Sequence, residues 1–331
     1  MTLSGAIGGA GGLTKQGSGT LTLSALNSYA DNTIIDAGTL IVAHDGALGA
    51  ANSGTFVELG ATLALSGGFT YATAEALSLN GAGVGGVGAL ENLSGNNTFA
   101  GSINMPAPGW IVCTAGTLTL SGSINTGSGL NGGLTVAGPG NTTISGRILG
   151  TAVAGLTVAP GPGTLTLTAN NTYTGPTTVF GTLIVNGSQP ASTITVSPGG
   201  TLGGTGSVGP IVVKGGTVEP GPQSGSTGGK LTAASADFSQ GGTLLIRLPA
   251  KGTAGVDYDQ LAVTGALTLG GTSNLQLDLN LLTSKANFPG IVLYGSVSGK
   301  FTNVLPPINN PLGLKVKKLA YGGKGLEVDL S

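Results

Sequence analysis

The chain is written in short alternations of apolar and hydroxyl-bearing residues. "GTLTLSA" begins at Gly19, "GTLTLSG" at Gly116 and "GTLTLTA" at Gly163, while "GTLIV" occurs at Gly38 and again at Gly181. Alternation at period two puts the apolar residues of each run on one face of a strand. Clusters of Gly, Asn, Asp, Ser and Pro separate the runs and read as turns. No segment shows a helical spacing of apolar residues. The pattern predicts many strands of three to five residues and essentially no helix.

The spacing of these runs says how the strands are arranged. Gly19 to Gly38 is 19 residues, Gly163 to Gly181 is 18 and Gly181 to Gly200 is 19; Gly216, Gly242 and Gly271, each followed by Thr, continue the series with wider gaps. Units of about 18 to 22 residues are too short for a strand–helix–strand crossover, and repetition at a fixed period outranks local propensity in deciding a fold. The economical solution is a coil in which each repeat makes one rung. Rungs then stack about 4.8 Å apart as parallel sheets. Leu, Val and Ile should point inward, Thr and Ser outward, with glycine supplying positive-φ corners. Roughly 15 rungs would make a rod on the order of 70 Å long. The expected fold class is all-β, a parallel β-helix with a C-terminal capping region. Tyr29, Phe99 and Tyr173 each follow a turn asparagine; they are expected to cover corners and shield the core rather than to stack a ligand. Around residues 104–112 the repeat is interrupted by "NMPAPGW", which leaves the rung register there open.

Composition sharpens this reading. Of 331 residues 64 are Gly, 40% are hydrophobic, 4% aromatic and only 8% charged, with a net charge of −1. High glycine with high net charge and few apolar residues would mean disorder; here the apolar residues are ample, so the chain is an ordered β protein rich in turns. Near-neutral charge argues against a nucleic-acid partner, which needs many phosphate-neutralising cations. The densest basic cluster, Lys315, Lys317 and Lys318, reads as a solvated edge. Cys113 and His44 are the sole members of their kinds, so no internal disulfide forms and no transition-metal site is expected. The start, "MTLSGAIGGAGG", lacks the basic and apolar regions of a signal peptide, and no apolar run of about 18 residues marks a membrane helix. A mature segment without its leader is the expectation.

The search for chemistry yields no catalytic, cofactor-binding or metal-binding residues. Glycoside hydrolysis generally needs two flanking carboxylates, yet Asn92 to Val218 contains no Asp or Glu. Asp257 and Asp259 lie two apart and on a strand would share a face; they read as structural residues where a strand begins. Asp31, Asp36, Asp45 and His44 gather near one repeat and read as turn formers. No G-x-S-x-G elbow appears. "GGTGSVG", Gly203 to Gly209, lacks the Lys-Ser/Thr of a phosphate loop, and it lacks the Asp of a calcium-binding nonapeptide.

The residues also carry a resemblance. "GPGTLTLTANNTYTGPTTVFGTLIVNGS", Gly161 to Ser188, and "GLTKQGSGTLTLSALNSYADNTIIDAGTLIVAHDGALG", Gly12 to Gly49, resemble the autotransporter-associated β-strand repeat of Gram-negative passenger domains. A middle copy, "SGNNTFAGSI" at Ser94 to Ile103, is followed by an atypical stretch. "VDYDQLAVTGALTLGGTSNLQLDL" (Val256 to Leu279), "GIVLYGSVSGKFTNVLPP" (Gly290 to Pro307) and "YGGKGLEVDLS" (Tyr321 to Ser331) resemble the end of such passengers, after which a membrane barrel would follow. The resemblance implies a right-handed β-helix, secretion, and an extracellular position at the surface of a Gram-negative bacterium. It divides the chain into a repeat stalk, 1–229, and a β-rich passenger-end cap continuing the solenoid, 230–331. The resulting expectation is a non-enzymatic stalk or adhesin-like segment without cofactor. A self-assembling filament subunit is the alternative. A carbohydrate-active enzyme, supported by fold analogy alone, ranks last. Expected partners are host or matrix glycans and proteins, or like chains stacked end to end. No nucleic acid is expected, and no membrane insertion by this segment.

Overall fold

The computed structural model describes residues 1–50, 53–71, 75–127, 133–151, 154–323 and 325–331. The chain divides into two compact units, Met1–Pro176 and Thr177–Ser331. Both are built from stacked parallel strands, so the parallel β-helix expected from the alternation is what forms. Among the described residues a single-turn 3-10 helix, Val84–Gly86, interrupts the strands, and none of their helices is long and apolar enough to cross a membrane.

In the first unit the rungs form three faces. One face stacks Thr2–Leu3, Thr20–Leu23, Thr39–Val42, Thr62–Ser66, Leu90–Ser94, Gly109–Cys113, Gly133–Ala137 and Gly155–Val158, each parallel to the next. A second runs from Leu13–Lys15 through Thr33–Ile35 and Gly54–Val57 to Ile148–Leu149. The third runs from Thr70–Tyr71 through Asn96–Phe99 to Thr164–Leu167. Because the rungs stack in register, equivalent residues form columns. Leu21, Leu40, Leu63, Leu90, Ile111, Val136 and Val158 are successive partners on the first face. All but Leu21 are buried, and full burial of such a side chain contributes about 1.5–3 kcal/mol. Ile111 continues the column straight through the interrupted stretch. Met105 turns inside there, while Trp110 remains 37% exposed.

The second unit repeats the principle. Thr182–Val185, Thr201–Gly204, Thr217–Pro220, Gly242–Arg247, Ser273–Asp278 and Asn303–Val304 stack in parallel. Elsewhere in this unit two short strands per rung merge into one long strand. Gln260–Thr268 pairs through its first half with Lys230–Ala233 and through its last residues with Ala236–Asp237. It then pairs with the 12-residue strand Asn287–Ser298, with a register shift between Val263 and Ala266. The final hairpin, Val316–Gly322 and Gly325–Leu330, is antiparallel and packs its second strand on Asn287–Ser298.

Two expectations need correction and a third is extended. The rung length is not confined to 18–22 residues. It ranges from 16, between the paired Thr201 and Thr217, to 31, between the paired Gly242 and Ser273; only the strands must match, and the corners absorb the difference. Thr98, Thr119, Thr143 and Thr166 do form an outward ladder, but Thr33, Thr55, Thr62 and Thr142 are buried. Glycine is needed for more than positive φ. A Cβ on Gly122 would lie 2.0 Å from the Gly101 carbonyl oxygen, and one on Gly146 only 1.8 Å from that of Gly122. These corners stack so closely that no side chain fits.

Candidate functional site

The polar residues that break the apolar columns are the places where the fold departs from plain packing. The first set is the repeat asparagine. Asn27, two residues before Tyr29, donates to the Ala47 carbonyl at 2.7 Å and accepts from the Ile7 N–H at 2.9 Å. Asn97, two before Phe99, accepts from the N–H groups of Gly68 and Phe69 at 2.9 and 2.8 Å and donates to Asn92 at 2.7 Å. Asn171, two before Tyr173, accepts from the Ile148 N–H at 2.8 Å. The shared motif is thus a buried side chain that ties one rung's corner to the backbone of the preceding rung. Its aromatic partner lies inside the coil. Tyr29, Phe99 and Tyr173 are all almost wholly buried, so they are core residues with no face free to stack a ligand.

Lys15, on an inward position of the first repeat, is also buried. Its ammonium donates to the carbonyls of Gln16, Gly17 and Ala37 at 3.0, 2.7 and 2.9 Å. A buried cation needs such acceptors to offset lost hydration. Asn92 likewise occupies a core column and donates to the carbonyls of Gly95 and Ala115. Cys113 stacks on it in register; the thiol is buried, and that burial pushes its pKa up. A raised pKa keeps a thiol unreactive.

Two buried carboxyls were not singled out by the sequence reading. Glu75 in the first unit is 2% exposed and accepts from the Thr55 hydroxyl. Burial pushes its pKa up to about 7, with the Thr55 bond opposing. Tyr29 and Tyr71 lie nearby; burial raises both, and Glu75 adds to the effect. The Tyr29 hydroxyl bonds to that of Thr33 at 2.6 Å, and Tyr71 donates to the His44 carbonyl.

Asp259 in the second unit is fully buried. Its carboxylate receives Arg247 Nε at 2.9 Å, Arg247 Nη2 at 3.1 Å, the Arg247 N–H at 3.2 Å and the Gly229 N–H at 3.1 Å. Burial pushes this carboxyl up to about 7 against the pull of the guanidinium and of those backbone donors. Glu219 stands 3.9 Å from Arg247 Nε and is also raised by burial.

The sequence-derived candidates scatter. Asp257 and Asp259 are not a face-sharing pair. Both precede the strand that begins at Gln260; Asp257 accepts from the Thr253 N–H at 2.6 Å in an outer turn, whereas Asp259 points inside. Asp31 accepts from the next backbone N–H, that of Asn32, at 2.7 Å. His44 Nδ1 accepts from the Gly46 N–H at 3.1 Å and stands 2.9 Å from an Asp45 oxygen. Lys317 lies 3.8 Å from Asp329 with both side chains solvated. Within Gly203 to Gly209, the Gly204 and Gly206 N–H groups donate to the carbonyls of Gly221 and Val185, so those donors serve neighbouring backbone. Among the described residues no group of three or more His, Cys, Asp or Glu is placed to hold a metal.

What the geometry defines first is a class: a parallel β-helix whose corners are pinned by a recurring buried asparagine and an inward aromatic ring. Residues 13–42 and 161–187, which contain the Asn27–Tyr29 and Asn171–Tyr173 motifs, match the passenger-associated-transport-repeat family. The chain therefore carries passenger repeats of the autotransporter kind. Over 86 residues, 24% of the chain, it is 48% identical to the adhesin BmaC autotransporter of Brucella suis biovar 1 (strain 1330), and it covers 2% of that protein's length. The two repeat segments are thus passenger-repeat-like, and an 86-residue stretch is homologous to part of an autotransporter adhesin.

Proposed function

We propose that this chain is a non-enzymatic stalk segment of a secreted or surface-displayed passenger in a Gram-negative bacterium, presenting adhesive surface to glycans or proteins outside the cell. The observation that carries this reading is the pair of passenger repeats built as in-register rungs. Their buried asparagines hold corners together through hydrogen bonds to neighbouring rungs. The partial likeness to a protein named as an adhesin supports the adhesive role. The outward column Thr70, Thr98, Thr119, Thr143 and Thr166 supplies a regular hydroxyl- and methyl-bearing face for contact.

The test is antibody labelling of intact bacteria expressing the full-length protein, with an antibody raised to this segment, alongside attachment of those cells to glycan- and protein-coated surfaces. Labelling without permeabilisation and attachment reduced by the antibody are expected. Labelling only after permeabilisation overturns surface display; unchanged attachment overturns the adhesive role.

A further inference from the structure

In the second unit, beside the Arg247–Asp259 pair, a cavity of about 190 Å³ opens to solvent. It has room for several waters, and so for one sugar ring. Its polar wall comes from strand ends brought together by register. Arg247 closes Gly242–Arg247 and Asp278 closes Ser273–Asp278, and the two are direct partners. Asn280 follows on the next turn, and Gln223 and Ser224 face them from the loop after Pro220.

The hydrogen-bonding capacity of this wall is only partly used. Arg247 is 7% exposed, and Asp259 takes its Nε and Nη2. Nη1 has no hydrogen-bond partner among the described residues. Arg247 lines the cavity, so this nitrogen is its remaining donor there. Asp278 Oδ1 accepts from the Asn280 N–H at 3.1 Å and from Asn309 Nδ2 at 3.0 Å, which holds the carboxylate in place and leaves Oδ2 free to accept. A fixed donor pair beside a fixed acceptor, with side-chain amides on the rim, matches the paired donor and acceptor roles of neighbouring sugar hydroxyls. Leu281, 45% exposed, and Pro249 give the same cavity an apolar side for the C–H face of a ring. Such a mix of apolar wall and few convergent polar groups is that of a small-molecule site.

Charge narrows the ligand. Asp259 offsets Arg247, and Asp278 places a further carboxylate on the cavity wall. An anionic sugar meets repulsion there; a neutral ring does not. We propose that this cavity binds one neutral pyranose unit of a glycan, with Arg247 and Asp278 as the orienting donor and acceptor. The biological sense of this rests on the adhesive reading above, whereas the binding itself is measured on the purified chain without any cell.

The test is calorimetric and NMR titration of the chain with methyl glycosides of glucose, galactose, mannose and N-acetylglucosamine, with methyl glucuronoside as the anionic probe. At least one neutral glycoside should bind with a Kd in the range of about 1–10 mM, as expected for so small a ligand, and the glucuronoside at least about tenfold more weakly. Asp278→Asn should weaken binding by about tenfold or more. Asn280→Ala, in an exposed turn, should weaken it severalfold and keeps the test valid if Asp278→Asn disturbs folding. A glycan array and a bacterial polysaccharide panel then separate host from self as the source of the ring. No neutral glycoside bound at about 50 mM, equal binding of the glucuronoside, or binding unchanged in Asn280→Ala and in folded Asp278→Asn overturns the inference. Surface labelling and attachment report on the stalk reading separately, so the failure of either is distinguishable.

Discussion

Glu75 and Asp259 are two buried carboxyls in two units, both pushed up to about 7 by loss of water, yet the chain accommodates them in opposite ways. Asp259 is met by a guanidinium and by backbone N–H groups, four donors in all. Glu75 is met by a threonine hydroxyl, with tyrosines rather than cations around it. The first arrangement suits an anion and the second a neutral acid. A β-helix interior therefore tolerates polar side chains on two different terms, and the partner decides which protonation state the rung is built around.

The largest effect should come from breaking the charged arrangement. Arg247→Met leaves Asp259 buried without its cation and should cost about 3–5 kcal/mol, read as a shift of the denaturant midpoint with hydrogen exchange at Gly242–Arg247 as the local probe. Adding Asp259→Leu should recover most of that loss, because a well-packed apolar pair often matches a buried ion pair. No recovery would mean that the hydrogen bond from the Gly229 N–H to Asp259 is what holds the corner.

An apolar yardstick comes next. Leu63→Ala, in the middle of the buried column on the first face, should cost about 2–5 kcal/mol. The same change at Leu21, which is only half-buried at that column's start, should cost clearly less. Equal losses would show that the column is not what stabilises the stack.

Glu75 sharpens the contrast through pH. Its folded pKa lies above the ordinary value, so the folded state binds the proton more tightly than the unfolded chain. The stabilisation is complete below the unfolded pKa near 4.5 and is lost as pH rises through about 7. Between about pH 4 and pH 8 this single group should remove about 3 kcal/mol from the first unit. Glu75→Gln keeps a neutral acceptor and should flatten that slope; comparing the two proteins across pH cancels contributions from every other group. An unchanged slope would place the titration elsewhere.

The smallest effect should be Thr119→Ala on the outward ladder, within about 0.5 kcal/mol. It tests whether the threonine face serves contact with other molecules rather than stability.

How much of this was readable in the chain follows from phase. In "TLTL" and "TLIV" the leucine after the threonine holds the inward phase, so the inward position of Leu40 is legible in the sequence. In "AEALSL" the same phase that buries Leu77 and Leu79 also carries Glu75 inward. Asn97 and Phe99 likewise share a phase, which would have put both inside. Arg247 was not readable in this way. In "TLLIRL" the inward phase belongs to Leu244, Ile246 and Leu248, and alternation would send Arg247 out. It is buried because the strand ends there under a corner, and its partner Asp259 lies in a separate turn with no local mark. Rung lengths were also illegible, since turn residues carry no period and a corner grows without disturbing the strands it joins.

Those unequal corners give the first unit a mechanical signature. Pulled from its ends, a stack of parallel rungs yields by peeling, each rung surrendering the contour it had wound up. The rung from Thr20 to its partner Thr39 holds 19 residues and would release about 65 Å of chain, while that from Leu63 to Leu90 holds 27 and would release about 90 Å. A tether made this way lengthens in steps of unequal size, and the order of the steps along a force trace would spell out the order of its corners.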